Sequence, residues 1–324
     1  MSTVLEKPGR RQAGRAPSGE RAQKQPREKR PPRPQRAPRP KRPYTQGEET
    51  LAVFSSAFTM ITIVCLWMAA QLLFLGNLSQ DRAQGLLYTE LRTQLASLTA
   101  PTGPIVPVGD PVAVISAPKI GLQQVVVEGT ASGDLLAGPG HRRDTPLPGQ
   151  EGISLVYGRG TSYGAPFGDV TRLVKGDHIE VVMAQGRITF TVLDVRRTND
   201  PIPPPPAAGE ARLTLVTAEG AGWLGKYVSA GSAVYVDAEA KKAFPAPAGR
   251  PGAVPESEKA MANDKGALPL LALALGCLVA LTLGVIAARQ RWSTALVWVI
   301  ASPLAVALAW ATTDVVMRLL PNLI

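Results

Sequence analysis

Three different rhythms of apolar and polar positions run along this chain. The first is an uninterrupted apolar texture: 51–75, 266–288 and 294–313 contain no Asp, Glu, Lys or Arg. As a helix, 51–75 would measure roughly 37 Å, enough to cross a hydrocarbon core of about 30 Å with tilt to spare. An export leader would have a shorter apolar stretch and would not follow so long a preamble. Three membrane-spanning helices are therefore predicted, over 50–76, 266–288 and 294–316. The short Arg289-Gln290-Arg291-Trp292-Ser293 connection makes the last two a hairpin.

The second rhythm is helical. Leu87, Leu91, Leu95 and Leu98 follow one another at spacings of four, four and three, which predicts an amphipathic juxtamembrane helix over 79–100. The third is strand-like: VAVISA, LQQVVVEG, ISLVYG, HIEVVMAQ, RITFTVLDVRR, RLTLVTA and SAVYVDAEA occupy 112–240, each bounded by Gly, Pro, Asp or Asn. So many short strands with so little helical periodicity predict an all-β barrel or sandwich over 101–239. Lys175-Gly176-Asp177 and Ala184-Gln185-Gly186 read as tight turns, and the prolines at 203–206 as a loop. The Ala/Pro/Lys/Glu-rich stretch 240–265 reads as a flexible linker back to the membrane.

Charge changes the picture at one end. Of the net +10, residues 1–47 supply 14 Lys and Arg against three Glu, so everything after them sums to −1. Segment 1–48, rich in Pro and poor in apolar residues, is expected to be a disordered cytoplasmic tail attracted to anionic lipid. That tail and the Arg289/Arg291 loop place the N-terminus inside and the barrel outside the plasma membrane. A near-neutral remainder with 5% aromatic residues argues against nucleic acid as a partner. The two cysteines, Cys65 and Cys277, fall within predicted spans, and His141 and His178 are the only histidines. No metal site and no cofactor are expected from that inventory. His141 reads as a structural loop histidine and His178 as a solvated strand-edge residue. Asp314, with Arg318 four residues on, reads as an ion pair at the membrane edge.

The strand region carries a family likeness. Ala117-Pro118-Lys119-Ile120-Gly121-Leu122 and Val126-Val127-Glu128-Gly129 resemble the opening of sortases. Leu136-Ala137-Gly138-Pro139-Gly140-His141 and Thr145-Pro146-Leu147-Pro148-Gly149-Gln150 come next. Thr161-Ser162-Tyr163-Gly164-Ala165-Pro166-Phe167, Leu173-Val174-Lys175-Gly176-Asp177 and Leu213-Thr214-Leu215-Val216-Thr217 then follow in the family's order. The likeness covers roughly 112–238 and is greatest to class E. It implies an eight-stranded β-barrel, and an activity that cleaves an LPxTG- or LAxTG-like sorting signal through a thioester and passes the acyl group to a cell-wall amine.

That chemistry needs a cysteine thiolate, a histidine acid and an arginine at the oxyanion. The resemblance puts the histidine where this chain has Gly158-Arg159-Gly160-Thr161, so Arg159 replaces it and Gly160 stands beside it. The cysteine position, after Leu213-Thr214-Leu215-Val216-Thr217, is Ala218, and the nearest basic residue to the arginine position is Lys226. No catalytic residue is therefore expected. Arg159, Thr161, Tyr163, Thr217 and Glu219 remain as residues that could bind a sorting-signal-like peptide without cutting it. Two alternatives stay open: an active peptidase or transpeptidase using a hydroxyl such as Ser162 or Thr217, and a subunit that captures a membrane partner protein through its C-terminal hairpin, where the small residues from Ala301 to Ala311 permit close approach.

Overall fold

The computed structural model describes residues 46–219 and 232–324; the basic tail and Lys226 lie outside the described residues. Helix α1 (Gln46–Ala70) passes through a π-helical turn, Gln71–Leu75, directly into α2 (Gly76–Ala96). The first span and the juxtamembrane helix are thus one rod. No proline interrupts it, and the wider π turn absorbs the change of face between lipid and barrel. Helices α3 (Leu268–Arg291) and α4 (Thr294–Leu319) form the hairpin, with Ser293 Oγ accepting from Leu296 N–H at the start of α4. All three long helices are apolar enough to cross a membrane.

The three helices pack on one another through Met60 of α1, Val285 of α3, and Val297, Ala301 and Ala305 of α4. Alanines four residues apart present a smooth face that lets backbones approach closely. That face is packed within this chain's own bundle.

Helix α2 lies against the barrel, but only part of the leucine stripe does the packing. Leu91 is buried, whereas Leu98 lies past the helix end at φ 59° and is 92% exposed. Glutamines complete the contact. Gln84 Oε1 accepts from Val125 N–H at 2.7 Å and its Nε2 donates to Val125 and Ala137 oxygens, so one side chain pairs with strand backbone as a neighbouring strand would.

The barrel consists of β1 (Pro111–Ala117), β2 (Leu122–Glu128), β3 (Gly140–His141), β4 (Gly152–Tyr157), β5 (His178–Met183), β6 (Gly186–Arg197), β7 (Ala211–Glu219) and β8 (Ser232–Ala240). It closes in the order β1-β2-β3-β4-β7-β8-β6-β5. Alternation fills it: Ile188, Phe190 and Val192 of β6 point inward, as do Leu213 and Leu215 of β7. The parallel β4–β7 pair, in register from Gly152↔Ala211 to Tyr157↔Val216, brings the end of β4 beside the end of β7.

The stretch 240–265 departs from its expected role as a loose tether. It is laid along the barrel wall as a strap: Phe244 N–H donates to Gly149 O, and Arg250 Nη2 to Gln150 Oε1. Further along, Glu258 pairs with Arg143, and its carbonyl accepts from Thr130 Oγ1 at 2.7 Å. Composition alone misleads here, because main-chain groups and single polar side chains hold the strap to the barrel.

Candidate functional site

The site grows from the register at the ends of β4 and β7. Strand alternation turns Leu213 and Leu215 into the barrel, while Val216 and Ala218 join a second apolar cluster on its outer face. Tyr157 ends β4 in that same cluster, and Gly158 N–H continues the ladder by donating to Val216 O at 2.9 Å. The next residues, Arg159 and Gly160, therefore sit over the end of β7. A Cβ on Gly160 would stand 2.5 Å from Ala218 O and 2.9 Å from Thr217 Oγ1, a closeness that only glycine allows.

Arg159 has no exposed surface, and no carboxylate side chain pairs with it among the described residues. Its guanidinium is satisfied by oxygens instead. Nη1 donates to Ser162 Oγ at 3.0 Å and to the main-chain oxygen of Ile324 at 2.7 Å. Nη2 donates to the carbonyl and hydroxyl of Ser132, both at 2.8 Å, and at 3.5 Å to Met317 O in the last turn of α4. A cation at a helix C-terminus is favourable, since the final carbonyls concentrate negative potential there. Burial lowers the Arg159 pKa to about 10, partly opposed by Tyr163.

The oxygen at Ile324 belongs to a segment that sequence reasoning passed over. After α4 the chain forms a turn, 321–324, closed by Ile324 N–H to Pro321 O. Gly160 N–H donates to Leu323 O at 2.9 Å, and Ser162 Oγ donates to Ile324 O at 2.6 Å. Leu323 is fully buried in the cluster of Leu135, Tyr157, Val216, Ala218 and Ala233. Asn322 is equally buried: its N–H reaches Ala262 O, and its Nδ2 reaches Thr130 O and Lys259 O. The turn thus fills the outer groove beside Ala218.

Residues 115–238 match the sortase domain family model. This barrel is a sortase-family domain. A curated relative, Sortase D of Bacillus subtilis (strain 168), is 28% identical over 83 residues, 26% of this chain; the chain spans 40% of that relative's length. Among solved structures, a Clostridium perfringens Sortase D5 transpeptidase is similar at 19% identity with a TM-score of 0.40, covering 49% of this chain and 98% of that one. The sortase SrtF of Corynebacterium diphtheriae is similar at 22% identity with a TM-score of 0.36, covering 47% and 94%.

Within the sortase domain the expected site residues divide. Arg159, Gly160, Thr217 and Ala218 come together. Thr217 faces inward, and its Oγ1 is buried with no hydrogen-bond partner among the described residues. Thr161 lies across Gly160 from the filled groove, on an open cleft of about 410 Å³ that Gln124, Ala165 and Asp169 also line. Glu219 is on the surface, paired with Arg197 at 2.9 Å. Lys226 falls in the segment outside the described residues.

Tyr163 turns away from the groove. Tyr163, Gly164 and Ala165 all have positive φ (47°, 77° and 43°), a bend that lays this loop on the helical rod. Gly164 N–H donates to Asn77 Oδ1, and the Tyr163 ring packs over Gly76. Tyr163 OH donates to Asp314 Oδ1 at 3.0 Å, and Gln71 Nε2 donates to the same oxygen at 2.8 Å. Trp67 Nε1 donates to Gln71 Oε1 in turn. Asp314 therefore binds Tyr163 and Gln71, in place of the expected pair with Arg318. Burial first, and Asp314 second, raises the Tyr163 pKa above its ordinary value. The Arg159 guanidinium lies 5.8 Å from the Tyr163 ring centroid, so this one ring links the groove to the membrane helices.

The two histidines are elsewhere. His141 is buried in β3, with Nδ1 2.8 Å from Glu128 Oε2 and Nε2 2.8 Å from Pro146 O. It sits in the sheet and not in a loop. His178 is exposed at the start of β5.

Proposed function

We propose that this chain is a membrane-anchored sortase-family protein that holds a peptide in its groove without cutting it, and so serves surface-protein attachment as a binding or scaffolding element. The observation that carries the reading is the state of Arg159. Where the family resemblance calls for an imidazole that protonates a leaving amine, a fully buried guanidinium donates to five oxygens. An arginine has no proton to exchange near neutral pH. Beside it Ala218 offers a methyl group, and no thiol occurs anywhere from 80 to 265. Loss of a nucleophile or its base in acyl-transfer enzymes costs on the order of 10⁴–10⁶ in turnover.

A hydroxyl nucleophile fits less well. Ser162 Oγ is engaged by Arg159 and Ile324 O, and Thr217 Oγ1 has no partner, so neither is hydrogen-bonded to a base among the described residues. The basic tail sets the orientation: it stays on the cytoplasmic side against anionic lipid, and the barrel faces the wall.

The test is incubation of the detergent-solubilised full chain with LPxTG and LAxTG peptides and a primary amine. Both peptides should be recovered intact. A shortened peptide, or an acyl adduct on the protein by mass spectrometry, overturns the reading.

A further inference from the structure

The turn at 321–324 is gripped as a ligand is gripped. Three donors from one loop, Gly160 N–H, Arg159 Nη1 and Ser162 Oγ, converge on the oxygens of two consecutive residues, Leu323 and Ile324. Two carbonyls from different segments, Thr130 and Lys259, converge on the Asn322 amide. Between these polar clamps a pocket formed by Leu135, Tyr157, Val216, Ala218 and Ala233 takes one aliphatic side chain. A site with paired carbonyl-oxygen donors, an amide receptor and an aliphatic pocket has the specificity of a short peptide, Asn followed by an aliphatic residue.

We propose that this groove is a peptide-binding site whose resident ligand is the chain's own segment 321–324, and that an external peptide carrying Asn followed by an aliphatic residue binds by displacing it. The proposal rests on the reading that the groove binds without cutting, and it names the ligand class and the gate. Several observations favour exchange over a purely structural staple. The segment enters as a tight turn at the end of a helix, so it leaves by unhooking one turn without unravelling α4. Each polar clamp is a single side chain, N–H or carbonyl, with no strand ladder joining the segment to the barrel among the described residues. Arg159 Nε is buried without a partner among the described residues even with the segment seated, so the groove keeps one donor unused.

Tethering sets the terms of the competition. A ligand held by a short connection acts at an effective concentration in the millimolar range, so a micromolar binder in trans registers weakly while the resident is intact. Loosening the resident should raise the apparent affinity for an external peptide without changing the pocket.

The experiment uses the full chain in detergent micelles and a fluorescent peptide of the sequence Arg-Leu-Leu-Pro-Asn-Leu-Ile, read by anisotropy. The Leu323→Ala variant, shown to be folded by a cooperative thermal transition, should bind the peptide at least tenfold more tightly than the unaltered chain. Adding Arg159→Ala to that variant should abolish the gain, and a peptide with Ala in place of Asn should lose at least tenfold. Equal affinity of variant and unaltered chain, or no saturable binding by the folded variant, overturns the proposal. Should Leu323→Ala fail to fold, hydrogen exchange on the unaltered chain decides. Millimolar peptide should speed exchange at Leu323 and Ile324 and leave the β5–β6 hairpin unchanged, and unaltered exchange at 323–324 overturns the proposal. Mass spectrometry of the recovered peptide separates the two readings. A bound but shortened peptide sinks the non-cutting function and keeps the exchangeable groove, whereas an intact peptide that never binds does the reverse.

Discussion

Arg159 and Ile324 stand 165 residues apart in sequence, yet a guanidinium N–H of the first reaches the main-chain oxygen of the second at 2.7 Å. That bond joins the end of the membrane hairpin to the loop after β4. Its importance can be measured directly.

Replacing Arg159 with Ala leaves the buried Ser132 carbonyl without that donor and leaves Ile324 O with Ser162 Oγ alone. An unsatisfied buried acceptor costs about 1–3 kcal/mol, so a loss of about that size is expected. Arg159→Lys should recover only part of it, because a point charge cannot serve both sides of a planar fork. Thermal unfolding of the full chain in detergent, followed by circular dichroism, is the measurement. A variant within 0.5 kcal/mol of the unaltered chain would show that these bonds contribute little.

Gly160 is the tightest spot in the groove. Gly160→Ala drives a Cβ to 2.5 Å from Ala218 O and should destabilise by about 1–3 kcal/mol, the usual range for overpacking. The same contact limits any attempt to rebuild sortase chemistry. Ala218→Cys with Arg159→His and Gly160→Arg must also displace β7 backbone and evict Leu323. Peptide cleavage by that triple variant should stay at background, and measurable turnover would show that the groove accommodates the change.

Asp314 should be energetically coupled to Tyr163 and not to Arg318. A double-mutant cycle of Tyr163→Phe with Asp314→Asn is expected to give an interaction energy of about 1 kcal/mol or more, as for hydrogen bonds to charged groups. The cycle of Arg318→Ala with Asp314→Asn should give nearly zero. Reversed values would restore the ion pair read from helical spacing.

Asp134 gives the stability a pH dependence. Its carboxyl, next to Leu135 of the groove, is raised from 3.8 to about 6, chiefly by burial and then against the help of the Ala131 N–H. The folded chain therefore holds this proton over a range where the unfolded chain has lost it. The stability it contributes is fully present below about pH 4 and is lost as pH rises through 6. The melting temperature of the unaltered chain should fall between pH 5 and pH 7.5 by more than that of Asp134→Asn. Parallel curves for the two proteins would remove Asp134 as the cause.

What the sequence revealed, and what it hid, follows from the range over which residues interact. β5 and β6 were legible because Ile179–Met183 and Ile188–Val192 alternate in and out around a Gln185-Gly186 turn, a signal confined to neighbours. β3 was not, since two residues, Gly140 and His141, contain no period. Leu98 was assigned to a helical stripe by spacing, but the helix ended two residues before it. At the site, the motif order located Arg159 beside Ala218, and the register of β4 with β7 is what brings them together. The occupant of the groove had no local signature: four residues after the last span carry neither a period nor a motif. Asp314 likewise had a tempting partner at four residues and took one 151 residues away. A proline followed by Asn and aliphatics just past the last span was the one cue available for the turn.

The rod from Gln46 to Ala96 has no joint, and Gln80 and Gln84 clamp its upper half to β2. A helix that tilts to match a thinner bilayer must then swing the whole barrel with it as a lever. Lipid thickness would set the height and heading of the groove over the bilayer, making the membrane itself an input to what the groove can reach.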